Sequence, residues 1–180
     1  GAEKQCAVAR STLAFCLLRA TEHDAPLPQA LTDADMDGVL LVGPYPLSVV
    51  ARVRGALSAP VVLVDNDHIE STCDSVMADD FGGGYLIARH LLALGHRNIL
   101  PLLRSTNKRD ALSFRERLRG YRTACAEYDA TALPPLHFPD EDYGPKLLLW
   151  LADQFNATPR FSALLSANDT YAAYAIPALE

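Results

Sequence analysis

Basic character is what this chain of 180 residues lacks: 16 Lys and Arg stand against 22 Asp and Glu, a net charge of -6 with the five histidines neutral. Phosphate recognition rests on clustered Lys and Arg, so this segment does not read as a nucleic-acid surface, and any DNA contact has to come from elsewhere. Cysteine is sparse as well. Cys6, Cys16, Cys73 and Cys125 are far apart and form no Cys-x-x-Cys pair, which excludes a redox dithiol or a zinc ribbon and suits free thiols in the cytosol. No apolar run approaches the ~18 residues of a membrane span, and the start lacks a basic stretch followed by an apolar one, so neither a membrane helix nor a secretory leader is expected. A Gly-x-Ser-x-Gly elbow, a His-Glu-x-x-His helix and a Gly-rich loop followed by Lys are all missing. No catalytic residue, metal ligand or cofactor is therefore assigned; a hydrolase using Asp65 and His68 is the one enzyme reading that the residue types leave open.

What is present is an alternation of short apolar runs with amphipathic stretches. Strands are predicted at Ser11 to Leu18, Gly38 to Val42, Val61 to Val64, Ser75 to Ala78, Asn98 to Leu103, Leu136 to Phe138 and Ser162 to Ser166. Helices are predicted at 2–10, Leu47 to Leu57, 82–94, Ser113 to Tyr128, Pro145 to Phe155 and Asp169 to Leu179. The stretch Ala25 to Asp37, rich in Pro and Asp, has no assignment. Such alternation implies parallel sheets with right-handed crossovers, and uniformly apolar strands imply helices on both sheet faces. With no repeat, low-complexity tract or linker, the boundary is placed at a hinge near Met77 and Ala78. It divides an N-terminal lobe, 1–77, from a C-terminal lobe, 78–180.

In open parallel sheets, ligands bind outside the carboxyl ends of the strands. There the chain places Gly43-Pro44-Tyr45, Asp65-Asn66-Asp67, Arg104-Ser105-Thr106, Asp142-Tyr143 and Asn168-Asp169. Carboxylate, amide, hydroxyl and aromatic groups together suit a small polyhydroxylated ligand with a ring to cover. Each also has an ordinary structural explanation. Asp65 can close an Asx turn, Ser113 and Asp169 can cap helices, and Arg117 can belong to the solvated run Arg115, Glu116, Arg117, Arg119.

The segment Asp79 to Leu100 is the most informative. Leu86, Ile87, His90, Leu91 and Leu94 fall at helical spacings, and Gly95 supplies a left-handed cap. Gly82-Gly83-Gly84 reads as close helix packing rather than as a nucleotide loop, and His90 and His96, on the apolar face and just past the cap, do not form a metal pair. This string resembles the first helix of the C-terminal subdomain in LacI/GalR transcription regulators. Asp37 to Gly43, Pro60 to Asp65, Arg117 to Tyr121 and Ser162 to Asp169 resemble further segments of the same regulatory domain, in order along the chain. The fold that this implies is α/β and periplasmic-binding-protein-like: two parallel-sheet Rossmann-like lobes joined by a hinge, both incomplete in this chain.

The resemblance also assigns roles. Arg117, three residues before Gly120, matches the arginine that grips effector hydroxyls or carboxylates, a task suited to the rigid guanidinium fork. Asp65 matches a cleft carboxylate that accepts from sugar hydroxyls, and Asn66 follows it at a position used for ring contacts. Ser113 matches a hydroxyl contact, Tyr143 an aromatic laid against the effector ring, and Asn168 a cleft amide, with Asp169 left to cap the following helix. Arg117, Asp65 and Asn168 are expected to face one cleft.

The function implied is effector sensing by a cytoplasmic, homodimeric DNA-binding regulator. A sugar or purine would bind between the lobes, and operator DNA would be held by a basic headpiece that is absent from this chain. The alternative is a solute-binding protein that serves a sugar transporter. The resemblance further implies a fragment that starts after the first strand of the domain and stops inside the helix after Asn168, leaving sheet edges exposed.

Overall fold

The computed structural model describes residues 2–18, 26–32, 36–66, 72–104, 111–138, 143–156 and 160–178. The chain divides into two compact units, Gly1–Met77 and Ala78–Glu180.

The first unit contains helices α1 (Ala2–Val8), α2 (Gln29–Thr32) and α3 (Leu47–Ala56) and strands β1 (Val39–Val42), β2 (Val61–Val64) and β3 (Asp74–Val76). The strands form a parallel sheet in the order β1-β2-β3, with Val39 opposite Val61 and Leu63 opposite Ser75. Period-two alternation sends Leu41, Val61 and Leu63 to one face, where Val49, Val50 and Val53 of α3 bury them. On the other face Leu40, Val42 and Val76 are exposed, so among the described residues helices cover the sheet on one side, not on both as its apolar strands suggest. Residues 11–18 form no strand, although their composition predicts one. A strand exists only through its ladder, and among the described residues no strand pairs with this segment, leaving Phe15 and Leu17 exposed.

In the second unit, helices α4 (Asp80–Ala93), α5 (Ala111–Glu127), α6 (Tyr143–Asn156) and α7 (Asp169–Ala175) surround strands β4 (Asn98–Arg104), β5 (Thr131–Ala132), β6 (Leu136–Phe138) and β7 (Ala163–Ser166). All pairings are parallel. β7 runs along one edge of β4, while β5 and then β6 share the other. Here both faces are covered. Ile99 and Leu165 pack with Ala88, Leu92, Tyr121 and Ala124, whereas Leu100 and Leu102 pack with Phe114, Leu147, Leu151 and Tyr171.

The break between β5 and β6 explains a proline in a central strand. Pro101 has no N–H to give a ladder, which normally confines proline to sheet edges. On the β5/β6 side, pairing stops after Ile99 and resumes at Leu102, so Pro101 falls in the gap. The hydroxyl of Tyr121, itself fully buried, fills the interruption: it donates to the Ile99 carbonyl (2.9 Å) and accepts from the Leu133 amide (2.8 Å).

α4 and α5 cross almost backbone to backbone. The buried stripe of α4 is Asp80, Gly84, Ala88 and Leu92, one residue per turn and small for two turns. A Cβ on Gly84 would lie 2.7 Å from Arg117 Cα and closer still to its carbonyl oxygen, and one on Gly120 would lie 2.6 Å from the Tyr85 amide nitrogen. Gly83 faces open space, and Gly82 packs only on the side chain of Asp79, which caps the helix by accepting from the Gly82 N–H (2.8 Å). The expectation of close packing therefore holds for Gly84 and not for Gly83. The helical spacing of Leu86, Ile87, His90 and Leu94 marks an exposed face, because α5 takes the small-residue stripe instead. Beside the crossing, Arg119 lies over the Phe81 ring (4.1 Å), and Phe81 stacks on Tyr85. Tyr85 donates to Glu127 (2.6 Å), a hydrogen bond that raises the phenol above its ordinary pKa.

Two substitutions on adjacent glycines have opposite expected signs. Gly83→Ala removes a flexible residue from an open helical site and raises stability by up to about 1 kcal/mol. Gly84→Ala forces the helices apart and costs about 1–3 kcal/mol. Urea unfolding of each variant checks this; equal midpoints would contradict the crossing. In the same assay Tyr121→Phe strands an amide and a carbonyl and lowers stability by about 1–3 kcal/mol, and an unchanged midpoint would show that the bridge contributes nothing.

Candidate functional site

Arg117 sits on α5 one turn before Gly120, and the helix crossing brings it beside the first turn of α4. Its Nε donates to Asp80 Oδ1 (2.8 Å), and Nη2 lies 2.7 Å from the same oxygen. Nη1 donates to the carbonyl of Ala167, just past the end of β7. Asp80 is buried, its side chain 6% exposed, whereas the Arg117 side chain remains 33% exposed. The solvated-run explanation therefore fails for Arg117 but suits Arg119, which pairs with Glu116 on the surface (2.5 Å). Anchoring at Asp80 and at the Ala167 carbonyl removes most of the rotamer freedom of a long side chain, so little ordering cost would be left for binding.

Asn168 adjoins that cluster through Ala167. It is the N-cap of α7, and its Oδ1 accepts from the Tyr171 amide (3.0 Å). The capping role given to Asp169 on sequence belongs to Asn168: the extended backbone at 168 points the amide oxygen into the first turn, while Asp169 is the first helical residue and is exposed. The cap uses Oδ1 only, so the Nδ2 group can serve a further partner.

Ser113 is half-buried in the first turn of α5, two residues after its start at Ala111, which is inside the helix and not at its cap. Tyr143 opens α6; its side chain lies outside the described residues, as do Asp67, His68, Ser105, Thr106 and Asp142.

Asp65 and Asn66 belong to the first unit. Asp65 follows β2 with φ +57, a left-handed conformation uncommon for a residue with a side chain, and is exposed. Its amide donates to Val76 (3.0 Å), which holds the turn against the end of β3. Asn66 is 2% exposed, and its Nδ2 donates to the carbonyls of Gly43 and Tyr45 (both 3.2 Å), tying the turn after β2 to the one after β1. Tyr45 in turn donates to the Leu18 carbonyl (3.1 Å).

Sequence reasoning missed Asp80. Its signal was the i, i+4, i+8 series Asp80, Gly84, Ala88: the small residues mark the buried face, and an acid on that face needs a cation. Among the described residues no group of His, Cys, Asp or Glu could hold a metal ion, and no helix is long and apolar enough to cross a membrane.

Parallel α/β units with polar groups at strand carboxyl ends are the arrangement in which open α/β proteins bind ligands, and similarity to known proteins places this chain in the periplasmic-binding-protein-like class. Residues 8–180 match the family described as periplasmic binding proteins and sugar binding domain of the LacI family, and the chain belongs to that family. Among solved structures, a LacI family transcriptional regulator from Enterococcus faecium with bound ribose superposes with a TM-score of 0.71 at 20% identity, covering 98% of this chain and 63% of that one. Among curated relatives, the ribose operon repressor of Haemophilus influenzae is 29% identical over 157 residues, 84% of this chain and 45% of that protein. The arabinose metabolism transcriptional repressor of Geobacillus stearothermophilus is 36% identical over 73 residues, 41% of this chain and 19% of that protein. The chain thus spans less than two thirds of these relatives.

The capping assignment is open to a direct check. Asn168→Ala is expected to lower stability by about 1 kcal/mol, whereas Asn168→Asp retains the capping oxygen and stays near wild type. Thermal melts of both variants measure this, and equal losses in the two would refute the cap.

Proposed function

We propose that this chain is the effector-sensing part of a LacI-type transcription regulator and that its effector is a sugar. The observation that carries this reading is Arg117, fixed by Asp80 and the Ala167 carbonyl yet one third exposed, next to Asn168 at the end of β7. Fixed hydrogen-bond donors of this kind suit ligand hydroxyls. The names of the curated relatives, among them an arabinose metabolism transcriptional repressor and a ribose operon repressor, support the regulator over a transporter's solute-binding protein and over an enzyme.

In this reading Asp65, Ser113, Arg117, Tyr143 and Asn168 supply the effector contacts, Asn66 holds the turn that carries Asp65, and the two units move relative to each other when the effector binds. A ligand shifts such an equilibrium only through its differential affinity for the two states. The consequence is altered operator binding by a cytoplasmic homodimer whose DNA contacts lie outside this chain.

Thermal-shift screening of the intact protein against monosaccharides and nucleobases tests the reading. A sugar present at a hundred times its Kd stabilises the folded state by about 2.7 kcal/mol, a clear rise in melting temperature that Arg117→Ala abolishes. Stabilisation by nucleobases alone, or a sugar response that survives Arg117→Ala undiminished, contradicts it.

A further inference from the structure

We infer that Asp80 is a positioning residue that sets the charge class of the effector: by compensating Arg117 it makes the site select uncharged, hydroxyl-bearing ligands over anionic ones. The inference rests on the sensing reading above.

An arginine at a ligand site ordinarily serves two purposes, since its fork donates hydrogen bonds and its positive charge favours carboxylates and phosphates. Here the two are separated. The Asp80 carboxylate takes the Nε and Nη2 edge through one oxygen at 2.8 and 2.7 Å, and the Ala167 carbonyl takes a hydrogen from Nη1. A guanidinium has five N–H donors; those contacts leave one on each terminal nitrogen, directed away from Asp80. Because Asp80 is buried beneath the exposed part of Arg117, water screens its negative charge poorly, and an arriving anion meets a compensated pair rather than a free cation. A hydroxyl or ring oxygen, which needs only the dipole of the N–H, loses nothing by this.

The arrangement is also built in from the backbone. Asp80 is fixed as the first residue of α4, directly after the capping Asp79. The contact of Gly84 with the Arg117 backbone fixes the distance between the partners. Truncating such a pair leaves a charge uncompensated; replacing Asp80 by its amide keeps shape and an acceptor oxygen while removing the charge.

The test is isothermal titration of the intact protein with ribose, arabinose, glucose and galactose and with the phosphate ester of each. In the wild type the best neutral sugar binds more tightly than its own ester by at least about tenfold, the size of a modest like-charge penalty. In Asp80→Asn, checked for folding by its melt, that ratio falls by at least about tenfold as the ester gains. A wild-type ester that binds as well as its parent sugar overturns the inference, and this comparison stands even if the variant does not fold. A folded variant with an unchanged ratio overturns it too, because a merely structural role for Asp80 would weaken both ligands together. Binding of neither class contradicts the sensing reading itself.

Discussion

The near-contact of α4 and α5 backbones at Gly84 and Gly120 is the constraint on which the second unit depends. Two helices approach this closely only where a residue without a side chain meets the neighbouring backbone, and each glycine here lies against the main chain of the other helix. The position of Arg117 follows from it. With its backbone lodged against Gly84, its guanidinium reaches the residue one turn earlier on α4, which is Asp80, and the carbonyl one step past β7. The ion pair is thus a product of helix packing before it is a feature of a site. Its buried carboxylate also makes the packing costly to disturb, since separating the helices would strand a charge with little access to water.

The two units solve the problem of strand ends differently. In the first, the turn after β2 is built on a left-handed aspartate, and a buried asparagine spends both amide hydrogens on the turn after β1. The turn after β2 is held by the Asp65 amide and the Asn66 side chain, with the Asp65 side chain left toward solvent. In the second, side chains hold side chains and helix termini: Arg117 is clasped from two directions, and Asn168 is committed through its oxygen while its nitrogen is spared. Both arrangements immobilise polar groups before a ligand arrives, which is how small sites avoid losing affinity to ordering.

Most of the element order could be read from the sequence because apolar runs and periodicities report burial directly, as Val61–Val64 and Leu136–Phe138 show. Residues 11–18 misled because strand formation depends on a partner that local composition does not encode. The face of α4 misled for a different reason: hydropathy rewards Leu86 and Ile87, whereas a tight helix pair is built from glycine and alanine. The same bias hid Asp80, since a carboxylate on a buried stripe makes sense only once its cation, 37 positions away, is known to lie against it. Asn168 and Asp169 are adjacent residues, both good caps, and the backbone angle that separates them is not visible in their letters. Arg117 could be singled out through family resemblance, but the residue that holds it could not.

The central claim is that the glycine crossing positions the arginine proposed to hold the effector. Titrating the intact Gly84→Ala and Gly83→Ala variants with the monosaccharide that most stabilises the wild type tests it most directly. Wild-type affinity in Gly83→Ala and a loss of at least about tenfold in folded Gly84→Ala is the predicted result, since misplacing a rigid donor by a fraction of an ångström sacrifices its hydrogen bonds. Equal affinity in the two variants would contradict it.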